Sequence, residues 1–327
     1  MHHAAPRRRT LIRRLGLGLL MAASAWLAPH TVLAEPASTV RIGYQKFNSV
    51  NILKGTGALE KALAAQGVQV AWYEFAAGPQ LLEALSTGAI DLGHAADAPS
   101  VFAQAAGKPV AYLAAEAPYP KGIGIVVQND APLRTVADLK GKRVATGRGW
   151  NAQYLLALAL EQAGLSYGDI TPAYVNNAAD AIAALQSGTV QAATLWDPFL
   201  AAAEKKLPVH NLRDGQGLTN NRTFYLTTAA FAQAHPAVIK TFFAELAKAS
   251  DWANNNPQQV ADLLGPQLGI DPAVLLLATQ RRNYSAQAIT PAIVAEQQKL
   301  ADTFLGLGLI PKPLKVEEAV YPVPLLP

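Results

Sequence analysis

The chain has 327 residues, 51% of them hydrophobic and 15% charged, and it contains no cysteine. That excludes disulfides, thiol chemistry and a lipid-bearing cysteine. Five arginines and no acidic residue fall in the first 34 positions, so the remainder carries 22 Lys and Arg against 23 Asp and Glu, a formal charge of −1, which leaves no basic field for nucleic acid or anionic lipid.

Arg7, Arg8, Arg9, Arg13 and Arg14 precede an apolar run at 15–27, and Val32-Leu33-Ala34 supplies small residues before Glu35. This is the pattern of an export leader, 1–34, cleaved near Ala34, and its apolar run is too short to span a bilayer. Arg8-Arg9-Thr10-Leu11-Ile12-Arg13 resembles the twin-arginine pattern, so the secretory and twin-arginine routes are both open. No later stretch is long enough for a membrane span. The expectation is a soluble periplasmic monomer whose mature part, about 290 residues, can bury two cores.

In chain order, residues 40–44 alternate like a strand, a helix follows over roughly 51–66, and 68–75 is a second strand. Gly78-Pro79 opens a helix with proline in its first turn, 90–95 is a strand, Asp97 caps a helix to 106, and 110–115 is a fourth strand. Pro118 to Gly122 breaks the pattern and marks a first crossing between lobes near 117–125. The next unit has strands at 123–128, 143–145, 171–175, 190–196 and 209–212, with helices at 151–163, 178–186 and, capped by Asp197, to about 205. Gly and Asn over 213–225 mark a return crossing. Helices are expected over about 234–254, 257–264, 271–280 and 290–305. The tail from Pro311 has five prolines in 17 residues and reads as extended on the surface. The division is 35–120 for the first part of lobe I, 121–220 for lobe II and 221–327 for the rest of lobe I with the C-terminal helices.

The chain repeats itself once, 100 positions apart. Leu81-Leu82-Glu83-Ala84-Leu85-Ser86-Thr87-Gly88-Ala89-Ile90-Asp91 leads to Asp97-Ala98-Pro99; Ala181-Ile182-Ala183-Ala184-Leu185-Gln186-Ser187-Gly188-Thr189-Val190-Gln191 leads to Asp197-Pro198. Two copies fit two lobes of one α/β design rather than a solenoid. Each places a strand-to-helix turn where ligands of open α/β sheets gather, and the unpartnered first amides of a helix, with its dipole, make a seat for an anion. Asp97 and Asp197 would repel that anion. They therefore read as caps turned into the helix amides, unless one recognises an amine on a zwitterion.

Several stretches together resemble a known family. These are Arg41-Ile42-Gly43-Tyr44-Gln45-Lys46, the run from Phe75 to Leu85, Asp97-Ala98-Pro99 with Phe102 to Gly107, Val136 to Lys142, and Trp196-Asp197-Pro198-Phe199. In order and spacing they are similar to the aliphatic sulfonate-binding proteins of ABC importers and, more distantly, to taurine- and nitrate-binding proteins. The resemblance implies a type II periplasmic binding protein: two lobes, each a mostly parallel sheet flanked by helices, with two interlobe crossings. It also implies closure on a sulfonate and docking to a membrane permease, with no cofactor and no direct membrane insertion. Two departures stand out. The family's Gly-Asp-Ala-Pro-Pro is here Ala96-Asp97-Ala98-Pro99-Ser100, and its Gly-Ser-Ser turn is Gly149-Trp150-Asn151. A Trp at that turn narrows the pocket or gives an organic tail a face to stack on.

On this reading the head group sits across helix starts at Asp97-Ala98 and at Gly149-Trp150-Asn151-Ala152, with the tail along Trp150 and Trp196. Gln45, at the carboxyl end of the first strand, can donate its amide to an oxyanion. The Gly78-Pro79 backbone is a candidate wall, Arg148 a candidate cation and the Tyr225 hydroxyl a candidate donor. Trp72 and Trp252 read as core. His94, His210 and His235 have no carboxylate or cysteine at metal-ligand spacing. Taurine, nitrate or another small anion is the alternative ligand. An enzyme is the alternative class, since deaminases and dehydratases also use two-lobed folds, but no nucleophile elbow, Walker sequence or His-Glu-x-x-His is present.

Overall fold

The computed structural model describes residues 39–322 and residue 326; the leader read at 1–34, with its cut near Ala34, lies outside them. β1 (Thr39–Tyr44) forms where Val40, Ile42 and Tyr44 alternate, and that face is buried. The single helix expected next is two, α1 (Ser49–Thr56) and α2 (Ala58–Ala64). They divide at Gly57, whose φ of 65° ends the first helix in the left-handed region that glycine adopts at little cost. The first lobe continues through β2 (Gln69–Glu74), α3 (Gly78–Ser86), β3 (Gly93–Ala96), α4 (Asp97–Ala105) and β4 (Ala111–Ala115).

The second lobe holds β5 (Ile123–Gln128), β6 (Arg143–Thr146), α5 (Asn151–Gln162), β7 (Thr171–Tyr174), α6 (Ala178–Gln186), β8 (Ala192–Trp196), α7 (Phe199–Lys206) and β9 (Val209–Asp214). The duplication is visible at residue level. α3 and α6 lie 100 positions apart and stop before Gly88 and Gly188, both with φ of 73°. The chain then returns through β10 (Thr223–Thr227) and continues in α8 (Ala229–Ala234), α9 (Pro236–Asn255), α10 (Pro257–Leu268), α11 (Pro272–Gln280) and α12 (Pro291–Gly306).

The lobe II sheet runs β7-β6-β8-β5-β9, with β6 parallel to both neighbours and β5 antiparallel to both of its own. Lobe I repeats the plan. β1 and β2 are parallel, β10 lies antiparallel between β3 and β4, and a bridge from Ile42 to Leu92 joins the two groups. In each lobe the antiparallel strand is the one arriving from the other lobe, after crossings at 116–122 and 215–222. The reason is geometric: the chain leaves a lobe at the carboxyl ends of its strands, on the shared side, and must enter its neighbour running away from that side.

Two sequence expectations need correction. Residues 223–227 are a strand rather than part of the return crossing, because Phe224, Tyr225 and Leu226 are wholly buried between β3 and β4 and against α9. The described part of the tail is not simply extended on the surface. Val316 and Ala319 are buried in a short 3-10 turn, and Val320 bridges to Tyr112.

Candidate functional site

The carboxyl ends of β1 and β3 face those of β6 and β8, and the turns after them surround a cleft with about 60 Å³ of interior space. That admits a compact head group and is well below the usual volume of a drug-sized site. Lobe I contributes Gln45 to Asn48, Gly78, His94, Ala96 and Pro99; lobe II contributes Trp150, Asn151, Trp196 and Asp197; the crossings add Tyr119, Gly122 and Asn221. Helix starts converge here, and α3 and α5 have no side-chain cap, so their first amides keep the partial positive charge of a helix terminus. Gly78 permits the convergence in lobe I. A Cβ there would lie 2.7 Å from the Pro99 ring in the first turn of α4.

Two cations line the cleft: Lys46, whose Nζ donates to the Leu268 carbonyl at 3.0 Å, and the buried Arg282, just after α11. Its Nη2 pairs with Glu116 Oε2, its Nη1 lies 3.4 Å from the Phe47 carbonyl, and its buried Nε has no partner among the described residues. The ring centroids of Tyr119 and Tyr284 stand 5.0 and 5.4 Å from the guanidinium carbon. Burial works against the charge, but the Glu116 carboxylate together with Tyr284 and Tyr119 outweighs it and holds the guanidinium pKa above its ordinary value. Glu116 is buried too. It also accepts the hydroxyls of Ser49 and, at 2.7 Å, Tyr225. Burial favours its neutral form, yet the Arg282 guanidinium and the hydrogen bonds that Glu116 accepts together prevail and its pKa is depressed. Burial dominates at His94 and lowers its pKa, favouring a neutral imidazole 3.3 Å from Glu116.

Asp197 lines the cleft but spends its oxygens on the protein. Oδ1 accepts the Ala201 amide of α7 at 3.0 Å and faces Arg281 at 3.4 Å, while Oδ2 accepts the Tyr119 hydroxyl at 2.5 Å. Arg281 also pairs with Glu204 of α7, so the segment after α11 ties lobe I to lobe II. Asn151 donates to Asn221 at 2.6 Å, and Asn221 donates to the Tyr119 carbonyl at 2.7 Å, linking α5 to both crossings. Trp150 is 4% exposed and packs edge-on against Trp196 at 4.8 Å, its ring lying over Gly147, where a Cβ would overlap it. Beside Trp196 lies an outer chamber of about 230 Å³ lined by Glu74, Phe75, Ala76, Asn177, Ala178, Ala179 and Phe199, which shares Gln45, Lys46 and Trp196 with the cleft.

The family model described as "NMT1/THI5 like" matches residues 63–260. An aliphatic sulfonates-binding protein of Escherichia coli (strain K12) is 37% identical over 313 residues, 95% of this chain and 96% of that relative. The chain belongs to this family. Two solved structures, each 37% identical in sequence, share the fold. The alkanesulfonate-binding protein SsuA from Xanthomonas axonopodis pv. citri, bound to MOPS, aligns with a TM-score of 0.83 over 88% of this chain and 99% of its own. The periplasmic aliphatic sulphonate binding protein SsuA from Escherichia coli aligns at 0.79 over 86% and 91%. The architecture is therefore the two-lobed periplasmic binding-protein fold that the family resemblance implies.

Within this family member, Gln45, Gly78, Trp150, Asn151, Trp196 and Asp197 come together at the cleft. Gln45 donates to the His94 carbonyl at 3.1 Å. The other sequence candidates lie elsewhere. Pro79 is in the first turn of α3 outside the lining, and Ala98 and Ala152 are wholly buried beneath their helix starts. Gly149 gives its amide to Gln153 Oε1 at 2.8 Å. Arg148 is exposed and stacks on Tyr174 at 4.5 Å, outside the cleft. Tyr225 points at Glu116, supporting the acid behind Arg282 rather than a ligand. Asp97 faces a separate cavity behind the crossings; it is the first residue of α4 rather than its cap and accepts the next amide, that of Ala98, at 2.7 Å. Sequence reasoning missed Arg282, Glu116, Tyr119 and Asn221. Only the adjacent Arg281-Arg282 pair, just past an expected helix, offered any local signal.

Asp97 carries a pH prediction. Burial pushes its carboxyl up to about 7, Glu296 adds to this, and the surrounding backbone amides oppose it. The folded protein then holds a proton that the unfolded chain has released, so this group's contribution to stability falls as pH rises from about 4 towards 7. Between pH 4 and pH 6 the loss from this one group is about 2 kcal/mol. Denaturant unfolding of wild type and Asp97→Asn at pH 4, 5 and 6 should show the difference; parallel curves would refute the assignment.

Proposed function

We propose that this chain is the periplasmic component of an ABC importer for alkanesulfonates and related organosulfonates. It captures them between the lobes by hinge closure and delivers them, unaltered, to a membrane permease. One observation carries the reading: a buried arginine with an unpartnered Nε lies at a cleft ringed by helix starts, and that cleft shares Trp196 with a mostly apolar chamber beside it. The inner space suits a compact oxyanion. The guanidinium is the buried cation, the α3 and α5 amides and the Asn151 amide are available donors, and Trp150 closes the wall. The outer chamber suits a tail. A planar anion such as nitrate would leave that chamber unused. A zwitterion such as taurine would bring an ammonium beside Asp197, whose oxygens are already engaged. In this reading the leader at 1–34 is removed near Ala34, the mature protein acts as a monomer in the periplasm, and the lobes divide near 120 and 220.

Isothermal titration of the mature protein with ethanesulfonate, hexanesulfonate, taurine and nitrate tests it. Affinity is expected to rise from ethanesulfonate to hexanesulfonate, with taurine and nitrate weaker than both. Tightest binding of nitrate or taurine would overturn the substrate class. Release of sulfite from the bound sulfonate would overturn the binding role in favour of an enzyme.

A further inference from the structure

Behind the hinge, on the side away from the ligand cleft, lies a second cavity of about 300 Å³. α12 and Asp97 wall it from lobe I, Tyr154 of α5 from lobe II, and both crossings contribute, through Pro120 and through residues 217–220 and 222. One thickness of backbone divides it from the cleft: along the second crossing Asn220 and Arg222 face the back cavity, while Asn221 and Thr223 face the cleft.

The four charges of this wall, Asp97, Glu296, Arg222 and Lys299, sum to zero but do not all pair. Arg222 and Glu296 neutralise each other through a pair at 2.7 Å, and Lys299 is exposed. Asp97 is left. It is 5% exposed and has no cation within 4.0 Å among the described residues. Asp97 keeps its proton up to about pH 7; above that its carboxylate is buried with no cation beside it, a costly arrangement. Phe224 and Tyr154 are among the residues lining the same space, with Ile293 and Leu300 beside them. Aromatic faces attract an organic cation and offer nothing to a hydrated metal ion. No group of three or more metal-ligating side chains occurs among the described residues.

We propose that this cavity is a second ligand site, taking a small organic ammonium whose nitrogen pairs with Asp97 and whose carbon chain lies against Tyr154 and Phe224. The claim stands apart from the sulfonate reading, because its test needs no sulfonate.

The experiment is calorimetric titration of the mature protein at pH 8.5, where Asp97 is ionised, with n-butylammonium chloride against sodium chloride at matched ionic strength. Saturable one-site binding is expected with butylammonium only, and at least tenfold weaker binding in Asp97→Asn. Asn220→Trp fills the cavity from its exposed rim and leaves Asp97 in place; it should weaken binding equally, with an unchanged near-ultraviolet circular dichroism spectrum as the check on folding. Equal heats from sodium chloride would overturn the proposal. So would undiminished butylammonium binding in Asp97→Asn, or in folded Asn220→Trp.

Discussion

Replacing Arg282 with Met is expected to lower stability by about 3–5 kcal/mol, the usual cost of leaving one member of a buried ion pair without its partner. The pair is Arg282 with Glu116; their side chains are 5% and 3% exposed. Glu116 would keep the Ser49 and Tyr225 hydroxyls but would face no guanidinium. Sulfonate affinity should fall at least tenfold as well, since a hydrogen bond to a charged group is worth about 1.5–3 kcal/mol. These two losses have different causes, and a double variant separates them. Arg282→Met with Glu116→Gln removes the stranded charge, so it should recover at least half of the lost stability and none of the lost affinity. Chemical denaturation and calorimetry on the same three proteins read both quantities. Recovery of sulfonate binding in the double variant would show that Arg282 serves only to neutralise Glu116, and the cleft would lose its proposed cation.

Shortening Trp196 to Ala should instead change how affinity depends on tail length. Trp196 borders both the inner cleft and the outer chamber, and it packs on Trp150 and Phe199. A buried methylene is worth about 0.8 kcal/mol, so four added methylenes between ethanesulfonate and hexanesulfonate contribute roughly 3 kcal/mol in the intact protein. Without the indole about half of that should vanish, so Trp196→Ala loses roughly tenfold more affinity for hexanesulfonate than for ethanesulfonate. Trp150→Ala is expected to behave differently. That ring is 4% exposed and backs the inner cleft, so the two ligands should lose affinity together. Equal losses for both ligands in Trp196→Ala would remove the tail from the outer chamber.

The elements and their duplication were legible in the residues alone, because they depend on short-range rules. Alternation made β1, a left-handed glycine ended α3 at 88 and α6 at 188, and prolines opened α9 to α12. The same rules brought Trp150, Asn151 and Trp196 into view, since each stands at a strand end or helix start. They also failed locally where one residue outweighed a pattern: Gly57 divided a helix, and β10 was hidden beside a run of Gly and Asn.

Which way the site residues face, and which charges meet, followed from long-range packing. Asp97 and Asp197 occupy matching places in the repeat, yet one lines the back cavity and the other the cleft. α12 supplies the far wall at Asp97, whereas Tyr119 and Arg281 converge on Asp197. Arg282 reaches Glu116 across 166 positions of sequence. No local propensity encodes such a meeting. It exists because packing the C-terminal helices against lobe I places a guanidinium beside a carboxylate that burial would otherwise have neutralised.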